Sequence, residues 1–136
     1  STRKESSAAS DVYKRQMKQG LQIILTAVEK IKSGISICIF PEGTRNKADS
    51  DLEMLPFHEG SFKIATKAKC PIIPISMNNT AEMFEAHFPR IKPCHVVIEY
   101  GKPIYPEELP KEDRKKIGAY TQNIILETLK KNQALV

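Results

Sequence analysis

The stretch "ISICIFPEGTRN", Ile35 to Asn46, runs a short apolar segment straight into a proline, then sets an acid, a glycine, a hydroxyl and an arginine in one turn. Its β-rich, apolar composition predicts a strand covered on both faces, closed by Pro41, which has no N–H to give to a ladder. In open α/β sheets the loops at the carboxyl ends of strands line the ligand crevice, so a polar cluster at this point is where a site belongs.

Upstream, Met17, Leu21, Ile24, Leu25, Val28 and Ile31 recur at helical spacing, and Gly34 stands where a helix commonly stops. The first sixteen residues, "STRKESSAASDVYKRQ", are polar and lack that period; residues 1–16 read as a non-native or disordered leader, to be kept out of fold reasoning. Downstream, "GSFKIATKAK" predicts a short helix and "CPIIPIS" a second buried strand. "TAEMFEAHF" predicts a brief helix and "CHVVIEYGKPI" a third strand ending at Gly101. "PEELPKEDRKK" leads into a last helix whose apolar face carries Ile117, Tyr120, Ile124, Ile125 and Leu129. The alternation of helices and strands predicts an α/β fold, a mostly parallel sheet flanked by helices.

The chain has 136 residues, enough for one domain, and at 40% hydrophobic and 27% charged its composition is ordinary for a soluble protein. No stretch approaches the roughly 18 apolar residues that a membrane span needs. Twenty-one basic against sixteen acidic side chains give +5, which favours anionic partners without choosing among them, or else reflects a solvated basic surface. The three cysteines, 38, 70 and 94, show no C-x-x-C spacing. They read as small structural hydrophobes in a reducing compartment, with no metal site.

In the turn, Gly43 lets the backbone reverse or approach a ligand, and Arg45 offers a planar fork suited to a phosphate. Glu42 either orients Arg45, accepts from a substrate hydroxyl or is a surface acid. Thr44 either meets substrate oxygens or bonds to its own turn. Neither a Walker loop nor a G-x-G-x-x-G turn occurs, and the aromatics stand singly in core-like runs, so nucleotide and nucleic-acid binding are not expected.

"FPEGTR", residues 40–45, resembles the third sequence block of the glycerolipid acyltransferase family. "LPFHEGSFKIA" resembles that family's PFKxG stretch and "CPIIPISM" its fourth block, an apolar strand with paired prolines. The resemblance runs from about Met17 to "YGKPI". It implies that residues 17–136 are the C-terminal part of a single acyltransferase domain whose N-terminal part is missing. The implied activity moves a fatty acyl group from acyl-CoA or acyl carrier protein to the hydroxyl of 1-acyl-sn-glycerol 3-phosphate, giving phosphatidic acid. The donor is a substrate, and no bound cofactor is implied. Glu42, Gly43, Thr44 and Arg45 would hold the glycerol phosphate end, with Pro74 a further pocket residue. Ile72 and Ile73 read as core, Lys63 as a solvated side chain and His58 as structural or exposed. The implied setting is peripheral, on the cytoplasmic face of a membrane.

The sequence also departs from the family. Members use a His and an Asp at H-x4-D spacing as base and orienting acid, but the residues five beyond His58, His87 and His95 are Lys63, Lys92 and Tyr100. No catalytic pair is therefore assigned. The alternatives are a non-catalytic phosphate- or phospholipid-binding chain, or a relative acting on glycerol 3-phosphate or another lysophospholipid. Loss of upstream strands would leave a sheet edge and an apolar face uncovered, so self-association is expected.

Overall fold

The structure, a computed structural model, describes residues 2–48, 50–83 and 85–136, and for residues 2–14, 16 and 17 the backbone alone. Helix α1 spans Thr2–Lys32, so residues 2–16, set apart as a leader by their polarity, have helical backbone continuous with the apolar-periodic part. Helix α2 is Glu59–Ala68, strand β1 Ile75–Asn78, strand β2 Val97–Tyr100, helix α3 Lys111–Lys115 and helix α4 Ile117–Asn132. The segment expected as a brief helix forms two 3₁₀ turns, Thr80–Met83 and Glu85–His87.

Helix α1 ends where Gly34 predicts. Gly34 takes φ +98°, its N–H donates to Ile31 O at 3.0 Å, and Ile35 N–H donates to Lys30 O at 3.1 Å. This paired closure, a Schellman motif, satisfies carbonyls that the last turn would otherwise leave without partners. The inward stripe of α1 carries Ala27 and Val28, which pack on Ile64 of α2, with Ile24, Ile31 and Ala68 around them. Burying a branched aliphatic side chain contributes about 1.5–3 kcal/mol, so this cluster is the main bond between the two helices. Leu21 and Leu25, placed on the same stripe by spacing, remain about half exposed, because α2 is too short to cover that end of α1.

The expected mostly parallel sheet is not what the described residues form. Strands β1 and β2 pair antiparallel, with Ile75 opposite Tyr100 and Asn78 opposite Val97, and one further antiparallel bridge joins Ile72 to Ile104. The chain returns from β1 to β2 through turns rather than through a crossover helix, and a parallel neighbour needs such a crossover. Ile35–Phe40 joins no ladder among the described residues, so the strand expected there has no partner from which to gain backbone hydrogen bonds. Its side chains are correspondingly exposed, Cys38 among them, which removes the reading of that thiol as packed core.

The small sheet presents its polar side inward. Ser76 and Asn78 are buried where β1 packs on α4, whereas Met77, Ile98 and Tyr100 face outward and are exposed. Asn78, fully buried, donates through Nδ2 to Leu129 O at 3.0 Å. Ile73, expected in the core, is exposed, while its neighbour Ile72 is half-buried at the bridge.

Candidate functional site

Residues 41–58 form a loop closed at its base. His58 N–H donates to Pro41 O at 2.9 Å, and within the turn Gly43 N–H donates to Phe40 O at 3.1 Å. Gly43 has φ +72°, a left-handed conformation that costs side-chain-bearing residues about 1–2 kcal/mol. Steric room is equally scarce, since a β-carbon at position 43 would stand 3.0 Å from Cδ2 and Nε2 of His58. The turn and the start of α2 are therefore closely packed, and Gly43 stands where the backbone turns, as its type led one to expect.

Glu42 is half-buried, and its Oε2 accepts the N–H of Leu55 at 3.0 Å. Instead of lying on the surface, its carboxylate staples the first residues of the loop to the last. Farther out, Asn46 Oδ1 accepts from Ala48 N–H at 2.9 Å, and Asn46 Nδ2 donates to Glu53 O. Asp51 Oδ2 accepts from Asn79 N–H at 2.6 Å, which ties the outer loop to the end of β1.

Helix α2 follows immediately. His58 occupies its N-cap position with extended backbone, and the rings of Phe57 and Phe62 stack with centroids 6.3 Å apart. Apolar residues just before the cap and four positions into the helix form a hydrophobic staple, which sets the angle at which the loop joins the helix. "PFHEGSF" therefore contributes aromatic packing and a cap position, and His58 is exposed there.

With the base of the loop held in this way, Thr44 and Arg45 are exposed on its outer side. A hydroxyl and a guanidinium side by side are a donor set suited to an oxyanion such as a phosphate. Lys63, on the first turns of α2, is exposed. Pro74 stands just before β1. It is buried at the head of β1, and its carbonyl accepts from Gly101 N–H at 2.8 Å. The structure thus brings Glu42, Gly43, Thr44 and Arg45 together with His58 and Leu55, and sets Pro74 on the sheet.

Two residues important to this arrangement carry no local signal as site residues. Glu59 reaches α4, where its carboxylate accepts from Gly118 N–H at 2.9 Å and Ala119 N–H at 3.2 Å, and Gln122 Nε2 donates to Leu55 O at 3.1 Å. The one available hint is negative: "KKIGAY" opens a helix without the Ser, Thr, Asp or Asn that usually caps one, so an acceptor has to come from elsewhere. Among the described residues no helix is long and apolar enough to cross a membrane.

A family model described as Acyltransferase matches residues 7–78. The 1-acyl-sn-glycerol-3-phosphate acyltransferase of Saccharomyces cerevisiae is 32% identical over 124 residues, covering 88% of this chain and 39% of that protein. The protein of the same name from Escherichia coli is 32% identical over 94 residues, covering 69% of this chain and 36% of its own length. In three dimensions the chain resembles the crystal structure of the 1-acyl-sn-glycerophosphate (LPA) acyltransferase PlsC from Thermotoga maritima, with a TM-score of 0.67 and 26% identity over 82% of this chain and 44% of that one. The chain spans less than half the length of each of these three proteins.

Proposed function

The chain belongs to the acyltransferase family, and from that premise we propose that it carries the acceptor-binding part of a 1-acyl-sn-glycerol-3-phosphate acyltransferase of phospholipid biosynthesis. The observation that carries this reading is the clamped turn: His58 N–H holds Pro41 and Leu55 N–H holds Glu42, both just ahead of a left-handed Gly43, and Thr44 and Arg45 are exposed beyond it. Arg45 binds the acceptor's phosphate through its guanidinium fork, the Thr44 hydroxyl adds a donor, Gly43, whose N–H is committed to Phe40 O, shapes the turn, and the glycerol lies alongside. Glu42, with one oxygen committed to Leu55, shapes the loop rather than the substrate. Pro74, buried at the head of β1, contributes as a further pocket residue.

In the proposed reaction the free hydroxyl of lysophosphatidic acid attacks the thioester carbonyl of acyl-CoA or acyl carrier protein, its proton passes to a base, and the thiol leaves with phosphatidic acid formed. Residues 41–45 bind and orient the acceptor for that step. They act at a membrane surface, on its cytoplasmic face, where a lipid acceptor is presented and where the net charge of +5 favours anionic headgroups.

The test is binding of the chain to phosphatidylcholine vesicles doped with lysophosphatidic acid. Removing one charge-assisted hydrogen bond costs about 1.5–3 kcal/mol, so Arg45→Ala is expected to weaken binding roughly tenfold or more, with Arg45→Lys intermediate. Equal affinity of Arg45→Ala and the unaltered chain would remove Arg45 from the acceptor site.

A second reading has its own observation, that no histidine in the sequence stands five residues before an aspartate. On that reading the chain binds the phosphate and performs no chemistry. Release of free thiol from acyl-CoA on adding lysophosphatidic acid separates the two: release by the chain sinks the second reading, and Arg45-dependent binding without release supports it.

A further inference from the structure

Helix α4 begins at Ile117 after Lys116, which makes no side-chain hydrogen bond to the helix start. The first N–H groups of a helix have no acceptor within it, and a carboxylate is a strong one there because it also meets the positive end of the helix dipole. Glu59 fills that place from 59 residues away, one oxygen on Gly118 N–H and the other on Ala119 N–H. Yet Glu59 is itself the first residue of α2, and its chain neighbour His58 bonds to Pro41 O and lies against Gly43.

A second line runs beside the first. Gln122, one turn farther along α4, donates to Leu55 O, and the N–H of that same Leu55 donates to Glu42. Helix α4 thus reaches the 41–45 turn twice, through Glu59 and His58 on one side and through Leu55 and Glu42 on the other. One line ends on the Pro41 carbonyl and the other on the Glu42 carboxylate, and neither engages Thr44 or Arg45, which stay exposed.

We infer that Glu59 is a positioning residue for the acceptor's phosphate: by capping α4 it locks the first turn of α2, and through His58 it holds the 41–45 turn in the shape that presents Thr44 and Arg45. The inference rests on the reading of that turn as the phosphate site. Gly118 belongs to the same device, because a β-carbon there would stand 2.6 Å from Glu59 Oε1 and push the carboxylate away.

The experiment uses the full chain in five variants, Glu59→Ala, Glu59→Gln, Gly118→Ala, the Glu59→Ala/Gly118→Ala double and Arg45→Ala, with two readouts. One is amide hydrogen exchange at Leu55 and His58 measured by NMR, and the other is affinity for phosphatidylcholine vesicles containing lysophosphatidic acid. Glu59→Ala and Gly118→Ala are each expected to speed exchange at both amides about tenfold and to weaken vesicle binding about fivefold or more. The double variant is expected to be no worse than either, since both changes remove the same contact. Glu59→Gln, which keeps one accepting oxygen, falls between, and should Glu59→Ala fail to fold, it and Gly118→Ala carry the test.

Arg45→Ala is expected to weaken binding and leave both amides protected. If Glu59→Gln and Gly118→Ala speed exchange only at Gly118 and Ala119 and leave Leu55, His58 and vesicle affinity unchanged, Glu59 caps α4 and nothing more, and the inference is overturned. If instead Arg45→Ala binds as well as the unaltered chain, the phosphate reading fails, while the exchange data still decide whether Glu59 positions the turn.

Discussion

The imidazole of His58 lies against the α-carbon of Gly43, so closely that a β-carbon there would sit 3.0 Å from two ring atoms. Sequence places these residues in separate motifs, and the fold makes them one contact. Gly43→Ala therefore meets two penalties, a left-handed φ of +72° and a ring that has to move. The expected cost is about 1–2 kcal/mol in urea unfolding, accompanied by weaker binding of lysophosphatidic acid vesicles. A Gly43→Ala chain as stable and as competent as the original would show that the turn has another low-energy shape.

Glu42→Ala removes the acceptor of the Leu55 N–H and opens the loop near its base. Hydrogen bonds to charged groups are worth about 1.5–3 kcal/mol, and partial exposure of the site puts the expected loss at the lower end. Because an amide oxygen at this position can still accept the Leu55 N–H, Glu42→Gln is expected to recover most of the stability. Chemical denaturation of the two variants side by side decides the point; equal losses would mean that the negative charge itself matters.

Asn78 is fully buried between β1 and α4, with Nδ2 on Leu129 O, while its Oδ1 is a buried acceptor without a hydrogen-bond partner among the described residues. Asn78→Ala gives up the bond to α4 and leaves a small void, for an expected loss of about 1–3 kcal/mol. Asn78→Asp is expected to be worse, since a carboxylate there would face the Leu129 carbonyl with no donor to offer. Thermal unfolding of the pair near neutral pH ranks them, and an Asp variant equal to the Ala variant would contradict the burial argument.

Lys131 Nζ lies 2.8 Å from Glu99 Oε1, and this hydrogen bond is the main reason the Glu99 carboxyl titrates below the usual glutamate range. A depressed carboxylate adds stability above its unfolded-state pKa and loses it as pH falls through the lower folded-state value. The difference in melting temperature between the original chain and Glu99→Gln should therefore be present near neutral pH and vanish in acid. It should also be small, and smaller still in high salt, because the pair is exposed to solvent. A difference that persists at low pH would assign the contribution to something other than this ion pair.

Local signals in the sequence led to local structure. Gly34 marks the end of α1, Gly43 adopts the left-handed turn, Gly101 follows the end of β2, and the stripe of Ile117 and Leu129 is the buried side of α4. Each depends on a few neighbouring residues. What failed depends on distant ones. Ile35–Phe40 has the composition of a strand, but a strand exists only against a neighbour, and composition does not say which neighbour is present. Sheet direction is set by the path from Asn78 to Val97, and the turns along that path differ little in sequence from a short helix. For the site, "PEGTR" announced a turn and a guanidinium, while its bracing by Glu59, Gln122 and Leu55 comes from residues whose types are common on any surface.

The closure of the 41–58 loop at its base has a practical corollary. Once Pro41 and His58 are joined and Glu42 is fastened to Leu55, the ends of the loop are fixed without help from its tip. Lengthening a loop whose ends are already held adds only a slowly growing entropic cost. Lys47 and Ala48 are exposed and stand in sequence between the fastened ends of the loop, so this is where the chain can accept inserted residues or a spectroscopic label while the turn keeps its shape.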